Sequence, residues 1–372
     1  MPGPSPHHRA DRAHRADRSS PAQPSPPIGP AQPTEPVTDT QTRTVPAAPE
    51  PPPPRPGRRL AARAAGLLLL APALAATCRA LDTDAVTPVP QLLSFLPWLT
   101  LPAGLAVLLA ADARRRALVF LSVLVLTATG WTSLPHTPHL VTSYGLPLAR
   151  VRVLAANVRF GRATDALIAT VRRERPHLVF VSECDRACGR SLATALAAEL
   201  PHRTAVDADG SVGSVLLSAR PLRDERVVPA AMGMPGATVE IAGRPVRLQL
   251  AHPLPPLPRQ VHRWKRELGR LADTAAGRTP DRPFLMAGDF NASQDHAAFR
   301  AVLRAGRLQD AARLTHSSRT PTWPTDAPLP PYVQIDHVLV SEDFTVDHIR
   351  FLDLAGSDHR AVLTALDLRG ER

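Results

Sequence analysis

Asp289 and Asn291, separated by Phe290, follow directly on the uninterrupted apolar run 284–287, which is bounded by Pro283 and Gly288. The pattern reads as a buried strand that delivers a carboxylate and an amide to a loop, a place where ligands and catalytic groups are often carried. Taken alone, the stretch is equally a strand running into an Asp/Asn turn. Other groups at expected strand ends decide between the two: Asn157, Glu183, His252, and the pairs Asp336-His337 and Asp358-His359. Phosphate-ester hydrolysis needs a cation on the phosphoryl oxygens, a base for the attacking water and an acid or metal for the leaving oxygen. Hard cations take oxygen ligands, and Mg²⁺ uses one or two carboxylates. Glu183 and Asp358, with the amide oxygen of Asn157 nearby, meet that demand. Asp289 and Asn291 could orient the nucleophile and hold a phosphate oxygen. His252 and His359 are the acid–base candidates near neutral pH.

The elements that must position these groups occupy only part of the 372 residues. Residues 1–59 are rich in Pro, Ala, Thr and Arg and end near a run of four prolines at 51–54, which reads as a disordered tail with polyproline character. Residues 60–134 then turn apolar, and segments 60–77, 91–111 and 117–134 each approach the ~20 residues that cross a bilayer. Three in succession, with short charged turns between them, favour a membrane region over buried core helices. Arg55, Arg58, Arg59 and Arg63 precede the first segment, and Arg114-Arg115-Arg116 lie between the second and third. With positive residues inside, the tail and the triple arginine are cytoplasmic, and everything after residue 134 is extracytoplasmic. Residues 135–150 form a linker, and 151–372 the catalytic domain.

The formal net charge of +11 divides as about +4 to residue 63, +1 to residue 144 and +6 beyond. That last value suits an anionic substrate and gives little of the phosphate-tracking surface expected of a nuclease. Three cysteines exclude a disulfide-rich scaffold and a cysteine-based zinc cluster. In an oxidising compartment Cys184 and Cys188 could pair, but a four-residue separation leaves the geometry open. From residue 151 strands and amphipathic helices alternate. Strands are expected at 151–157, 178–183, 214–218, 238–241, 246–251, 284–287, 334–340 and 360–366. Helices are expected at 163–173, 191–200, 258–275 and 296–304. A tight turn at Ala242-Gly243 joins a hairpin.

The set Asn157-Val158, Ser182-Glu183, 214–218, His252, Gly288-Asp289-Phe290-Asn291, Ile335-Asp336-His337 and Ser357-Asp358-His359 resembles the endonuclease/exonuclease/phosphatase superfamily, in the family's order. The resemblance implies an α/β fold, a four-layered α/β/β/α sandwich with the site at one edge of its two sheets. It implies Glu183 as principal metal ligand, with Asn157 and Asp358 close to the ion or its waters, the ion being Mg²⁺, Mn²⁺ or Ca²⁺. It implies His359 as base or phosphate contact oriented by Asp336, Asp289 and Asn291 positioning water and phosphate, and His252 contacting phosphate or acting as acid. Two departures fall beside these groups: Gln334 stands where many relatives carry Arg, and Ser182 where many carry Gln. His337 reads as a packing residue, and Trp323 either as a loop tryptophan near the site or as core. The expectation is a membrane-anchored metal-dependent hydrolase of phosphate esters or diphosphates. Its substrate is lipid-linked or another extracellular phosphate compound. An extracytoplasmic nuclease acting on DNA or RNA, and a non-catalytic binding module on the same fold, are the alternatives.

Overall fold

The computed structural model describes residues 56–134, 145–279 and 281–370. The expected tail up to residue 55, with its proline run, and most of the expected linker lie outside the described residues.

Apolar residues placed alternately on two faces of a strand need cover on both sides, and the C-terminal part satisfies this with two sheets. The first sheet has the order β11-β12-β1-β2-β4-β3 and the second β5-β6-β7-β8-β10-β9. The strands are β1 Pro147–Asn157, β2 Leu178–Ser182, β3 His202–Val206, β4 Ser214–Ser218, β5 Leu222–Val227, β6 Pro235–Ile241, β7 Arg244–Ala251, β8 Phe284–Asp289, β9 Gln309–Asp310, β10 Asp336–Val340, β11 Phe344–Asp353 and β12 Arg360–Arg369. Val153, Phe180 and Leu216 of one sheet meet Leu248, Leu285 and Val338 of the other in the central core. The opposite faces are covered by α5 Thr164–Glu174 and α6 Arg186–Ala195 on the first sheet and by α7 Val261–Ala276 and α8 Ala297–Gly306 on the second. This is the expected four-layered α/β/β/α sandwich.

Several boundaries differ from expectation, each for a local reason. β1 starts at Pro147 rather than 151, because residues 147–150 continue the ladder with β12 up to Arg369. The helix expected at 191–200 begins at Arg186, where Asp185 caps it by accepting a hydrogen bond from the Cys188 amide at 2.8 Å. Cys184 and Cys188 are joined by a disulfide across this first turn, with Cα atoms 5.3 Å apart. The hairpin turn at Ala242-Gly243 has φ of +50° and +77°, as a two-residue primed turn demands.

The apolar N-terminal region folds as α1 Pro56–Ala80, α2 Val89–Ser94, a single 3₁₀ turn Leu96–Leu99, α3 Thr100–Asp112 and α4 Arg116–Ser133. The expected second span, 91–111, is therefore not one helix. Pro97 lacks the N–H needed to continue α2, so the chain turns there and restarts. Ala103, Ala106 and Ala110 of α3 pack against Ala65 and Leu69 of α1 and Val125 of α4, small residues that let the helices approach closely. α1 and α4 are long and apolar enough to cross a membrane, and only 22% and 17% of their most apolar windows are buried. Leu67, Leu70, Phe120, Leu124 and Trp131 instead point outward, unlike the core helices of a water-soluble domain.

Candidate active site

Strand register brings the chemistry to one edge. In the first sheet Asn157, the last residue of β1, lies beside Ser182, the last of β2. In the second, Asp289 at the end of β8 faces Asp336 at the start of β10, and Ala251 at the end of β7 lies beside Gly288. β12 runs antiparallel to β1, so the turn that precedes it returns Asp358 and His359 to the same edge. Gly288 has φ +142°, and a Cβ there would sit 2.2 Å from the Ala251 carbonyl oxygen. Only glycine lets the two strands approach closely enough to present Asp289 beside His252. Glu183 and Asn291, both just past strand ends, hold φ of +55° and +47°, a left-handed conformation that is uncommon outside glycine and concentrates at functional sites.

Asp289 is the hub. Its Oδ2 accepts from Asn157 Nδ2 at 3.2 Å, and its Oδ1 accepts from the Asn291 amide at 2.8 Å. His359 Nε2 lies 3.9 Å from Asp289 Oδ2. On the other side of its ring, His359 Nδ1 donates to Asp336 Oδ2 at 2.9 Å. Ser357 fixes the turn, its hydroxyl donating to the Asn157 carbonyl at 2.8 Å and accepting from the His359 amide at 2.9 Å. Burial, then repulsion from Asp336, lifts the Asp289 carboxyl to about 7. Burial works against protonation of His359, but Asp336, followed by Asp289 and Asp358, outweighs it and raises the imidazole to about 9. Near neutral pH the cluster thus holds an imidazolium between two carboxylates, one of them poised to exchange a proton. His252 is the contrasting case: burial, then the charge of His359, lowers it to about 4, so it is neutral. Among the described residues neither of its buried ring nitrogens has a hydrogen-bond partner, and its side chain lines the pocket.

The remaining expected residues fall as follows. Glu183 is half-buried, accepts from Asn157 Nδ2 at 3.1 Å, and is raised by burial with Asn157 opposing. Asp358 accepts from Trp323 Nε1 at 3.2 Å and lies 3.6 Å from Arg159 Nε. Asn157 stands beside both Glu183 and Asp289. Its amide oxygen accepts from the Arg159 backbone N–H at 2.9 Å, which turns the NH₂ group toward Glu183 and Asp289. Asn157 thereby bridges the two carboxylates. Asn291 donates from Nδ2 to the Pro253 carbonyl at 3.0 Å, anchoring the loop after β7. His337 faces the outer core. Its Nδ1 pairs with Asp310 Oδ2 at 2.8 Å and its Nε2 with the Ala292 carbonyl at 3.0 Å.

The donor set suits a divalent cation. Glu183, Asp289 and Asp358 border one pocket, and among the described residues the buried Asp336 Oδ1 has no hydrogen-bond partner. Asp289, Asp336 and His359 also bring ligand atoms within 4.8 Å of one another, but there the charge is already balanced by the histidine. The all-oxygen pair Glu183 and Asp358 is the better match to a hard ion. Sequence reasoning did not find Arg159 or Phe160, both beside this pair. Their only signal was adjacency to Asn157.

A family model described as Endonuclease/Exonuclease/phosphatase family matches residues 154–359. A humanised D. rerio TDP2 crystal structure is similar at 17% identity and TM-score 0.50, covering 59% of this chain and 99% of that one. An endonuclease/exonuclease/phosphatase family protein from Bacteroides thetaiotaomicron is similar at 15% identity and TM-score 0.50, covering 60% and 99%. At such identities these likenesses speak to the fold alone. No curated protein sequence matches the chain. With its family model spanning both sheets and every strand-end group just described, the chain belongs to the endonuclease/exonuclease/phosphatase family, whose members are hydrolases of phosphoester bonds.

Proposed function

We propose that the protein is a membrane-anchored, divalent-metal-dependent phosphoesterase whose catalytic domain lies outside the cytoplasm and acts on a lipid-linked phosphate ester or diphosphate. The observation that carries the catalytic part is the Asp336–His359–Asp289 cluster beside Glu183. Glu183 and Asp358 would hold Mg²⁺, Mn²⁺ or Ca²⁺, which supplies charge neutralisation to the phosphoryl oxygens. Asp289, with its pKa lifted to about 7, accepts the proton of the attacking water. His359 is kept protonated and oriented by Asp336, and donates to a phosphate oxygen. His252, neutral and unpartnered, adds a second hydrogen bond to the phosphate. Asn157 and Asn291 hold the carboxylates and the adjoining loop in register.

The membrane reading is supported by two long helices with outward apolar faces and by the 17-residue apolar stretch Leu96–Asp112 between them. The ends of the helices agree with it. Arg79 near the end of α1 pairs with Asp295, and the Thr132 carbonyl near the end of α4 accepts from Arg319 at 3.0 Å. The catalytic domain therefore sits at those ends, while Arg58, Arg59 and Arg114–116 mark the opposite ends, as positive-inside orientation requires. The Cys184–Cys188 disulfide suits an oxidising compartment.

The test compares, for full-length protein in membranes, phosphate release from a polyprenyl diphosphate with strand cleavage of plasmid DNA under the same metal conditions. Release from the lipid should be faster and should vanish with a chelator. Comparable or faster DNA cleavage would make the protein a nuclease, and turnover of neither would favour a binding module. A reporter active only outside the cytoplasm, fused after Arg372, should be active.

A further inference from the structure

The pocket over the catalytic cluster, about 450 Å³ in volume, is not built by the sandwich alone. Gln91, Ser94 and Phe95, from α2 and the residue that ends it, form part of its wall. α2 is fixed in that position by several independent contacts. The Pro90 carbonyl accepts from His296 Nε2 at 2.8 Å, and Gln91 Nε2 donates to the Pro256 carbonyl. Just beyond, Trp98 Nε1 donates to the Tyr332 carbonyl at 2.9 Å. Just before it, the fully buried Asp84 accepts from the Ala298 amide at 2.8 Å and pairs with Lys265 at 3.1 Å. A segment held by a buried carboxylate and three carbonyl contacts is part of the site's architecture.

The lining of this pocket is of two kinds. Glu183, Asp289, Asp358 and the two histidines are its ionisable groups, and Phe95 from α2, with Met232, Pro256 and Leu257 from the sandwich, are among its apolar ones. Leu257 and Phe160, both in the pocket lining, are each about half exposed. A phosphoryl group fills only a small share of such a volume, which falls in the range that accommodates drug-sized molecules. The chain runs directly from Phe95 into the Leu96–Leu99 turn and α3, whose Leu101, Leu105 and Leu108 form an outward stripe.

We infer that α2 is a substrate-binding element, with Phe95 and Leu257 receiving the apolar chain of an amphiphilic phosphate ester immediately next to its phosphate. This rests on the phosphoesterase reading above and adds to it which residues select the substrate. Apolar residues of the helical region, not of the sandwich alone, then set chain preference. A polar or short-chain phosphate would leave that wall wet and bind less well.

Two measurements on the full-length protein test this. The first compares phosphate release from hexadecyl diphosphate and ethyl diphosphate. Phe95→Ser should lower the ratio of the two kcat/KM values about tenfold, the scale of a lost hydrophobic contact in a pocket. Phe95→Leu should restore most of it. Leu257→Ser, on an exposed loop, should act in the same direction and keeps the test alive if Phe95→Ser does not fold. An unchanged ratio in both serine variants overturns the inference. The second measurement needs no turnover. Hexadecyl phosphate bearing a diazirine on its alkyl chain, photolysed with the protein, should label peptides containing Phe95 or Leu257. Labelling confined to the outer faces of α1 and α4 overturns the inference. Labelling at Phe95 with hydrolysis of neither diphosphate nor of hexadecyl phosphate would leave the inference standing and refute the phosphoesterase reading.

Discussion

Strand β10 opens with two neighbouring residues, Asp336 and His337, that point to opposite faces of one sheet and enter two histidine–carboxylate pairs of nearly equal length. Asp336 meets His359 at 2.9 Å on the edge facing the pocket, and His337 meets Asp310 at 2.8 Å in the outer core. Both histidines are raised above their ordinary value by their carboxylate despite burial that works the other way. The difference lies at the second ring nitrogen. His337 Nε2 is consumed by the Ala292 carbonyl at 3.0 Å, and its ring packs against Phe290 and Phe299. His359 Nε2 lies 3.9 Å from Asp289 Oδ2, beyond hydrogen-bond reach, and the ring borders the pocket. A histidine–carboxylate pair is therefore reactive or inert according to whether one nitrogen is left for a ligand. Spacing along the chain does not distinguish the two cases.

The sharpest way to break this comparison is to remove each pair and read turnover. His359→Ala should lower kcat by about 10³-fold or more, on the scale of losing a positioned acid–base group. Asp336→Asn should cost nearly as much, and the double variant little more than either single one, because an orienting carboxylate and its histidine act as a unit. A double loss equal to the product of the single losses would show that the two do not cooperate. pH gives a finer probe of the same pair. The proposed mechanism requires His359 protonated, so activity should be present below its pKa of about 9 and fall as pH rises through it. The acidic limb should lie at or below about 7, where Asp289 takes up a proton. Because the groups are coupled, both limbs belong to the cluster. In Asp336→Asn the basic limb should move down from about 9 toward the ordinary histidine value of about 6.5. A limb that stays at 9 in a kcat/KM profile would remove His359 as its source.

Much of the site was legible because its residues sit at the ends of short apolar strands, where an uninterrupted hydrophobic run followed by Asp, Asn, Glu or His is conspicuous. The order of those motifs along the chain carried the family and, with it, the sandwich. What was not legible depends on contacts distant in sequence or on backbone conformation. The side of Asn157 that faces the carboxylates is set by the Arg159 amide, which no side-chain pattern reports. α2 reads as the start of a membrane span because its composition is apolar, yet its position is fixed by Pro256 and His296, more than a hundred and fifty residues away. Strand β11 escaped because a register shift between Val346 and His348 breaks the alternation that marks a strand. β3 escaped because, as an edge strand, it buries only Thr204 fully.

The smallest effect on turnover should come from the inert pair, and it sharpens the comparison most. His337→Asn leaves the Asp310 carboxylate buried with one partner, the Ala312 amide at 3.0 Å, and removes a ring wedged between two phenylalanines. Breaking a buried pair from one side costs about 3 kcal/mol or more, which for a domain of this size lowers the melting temperature by several degrees. Since the altered side chain faces away from the pocket, kcat at a temperature where the variant is folded should stay within about twofold of the parent. The sign of the pH dependence supplies an internal control. The folded-state pKa of His337 lies above its unfolded value, so its contribution is fully present below about pH 6.5 and fades as pH rises through the folded value. The melting-temperature gap between parent and variant should accordingly be widest near pH 6 and narrow in alkaline buffer. A variant that keeps its melting temperature but loses turnover a hundredfold would place His337 in the catalytic machinery and erase the distinction between the two faces of β10.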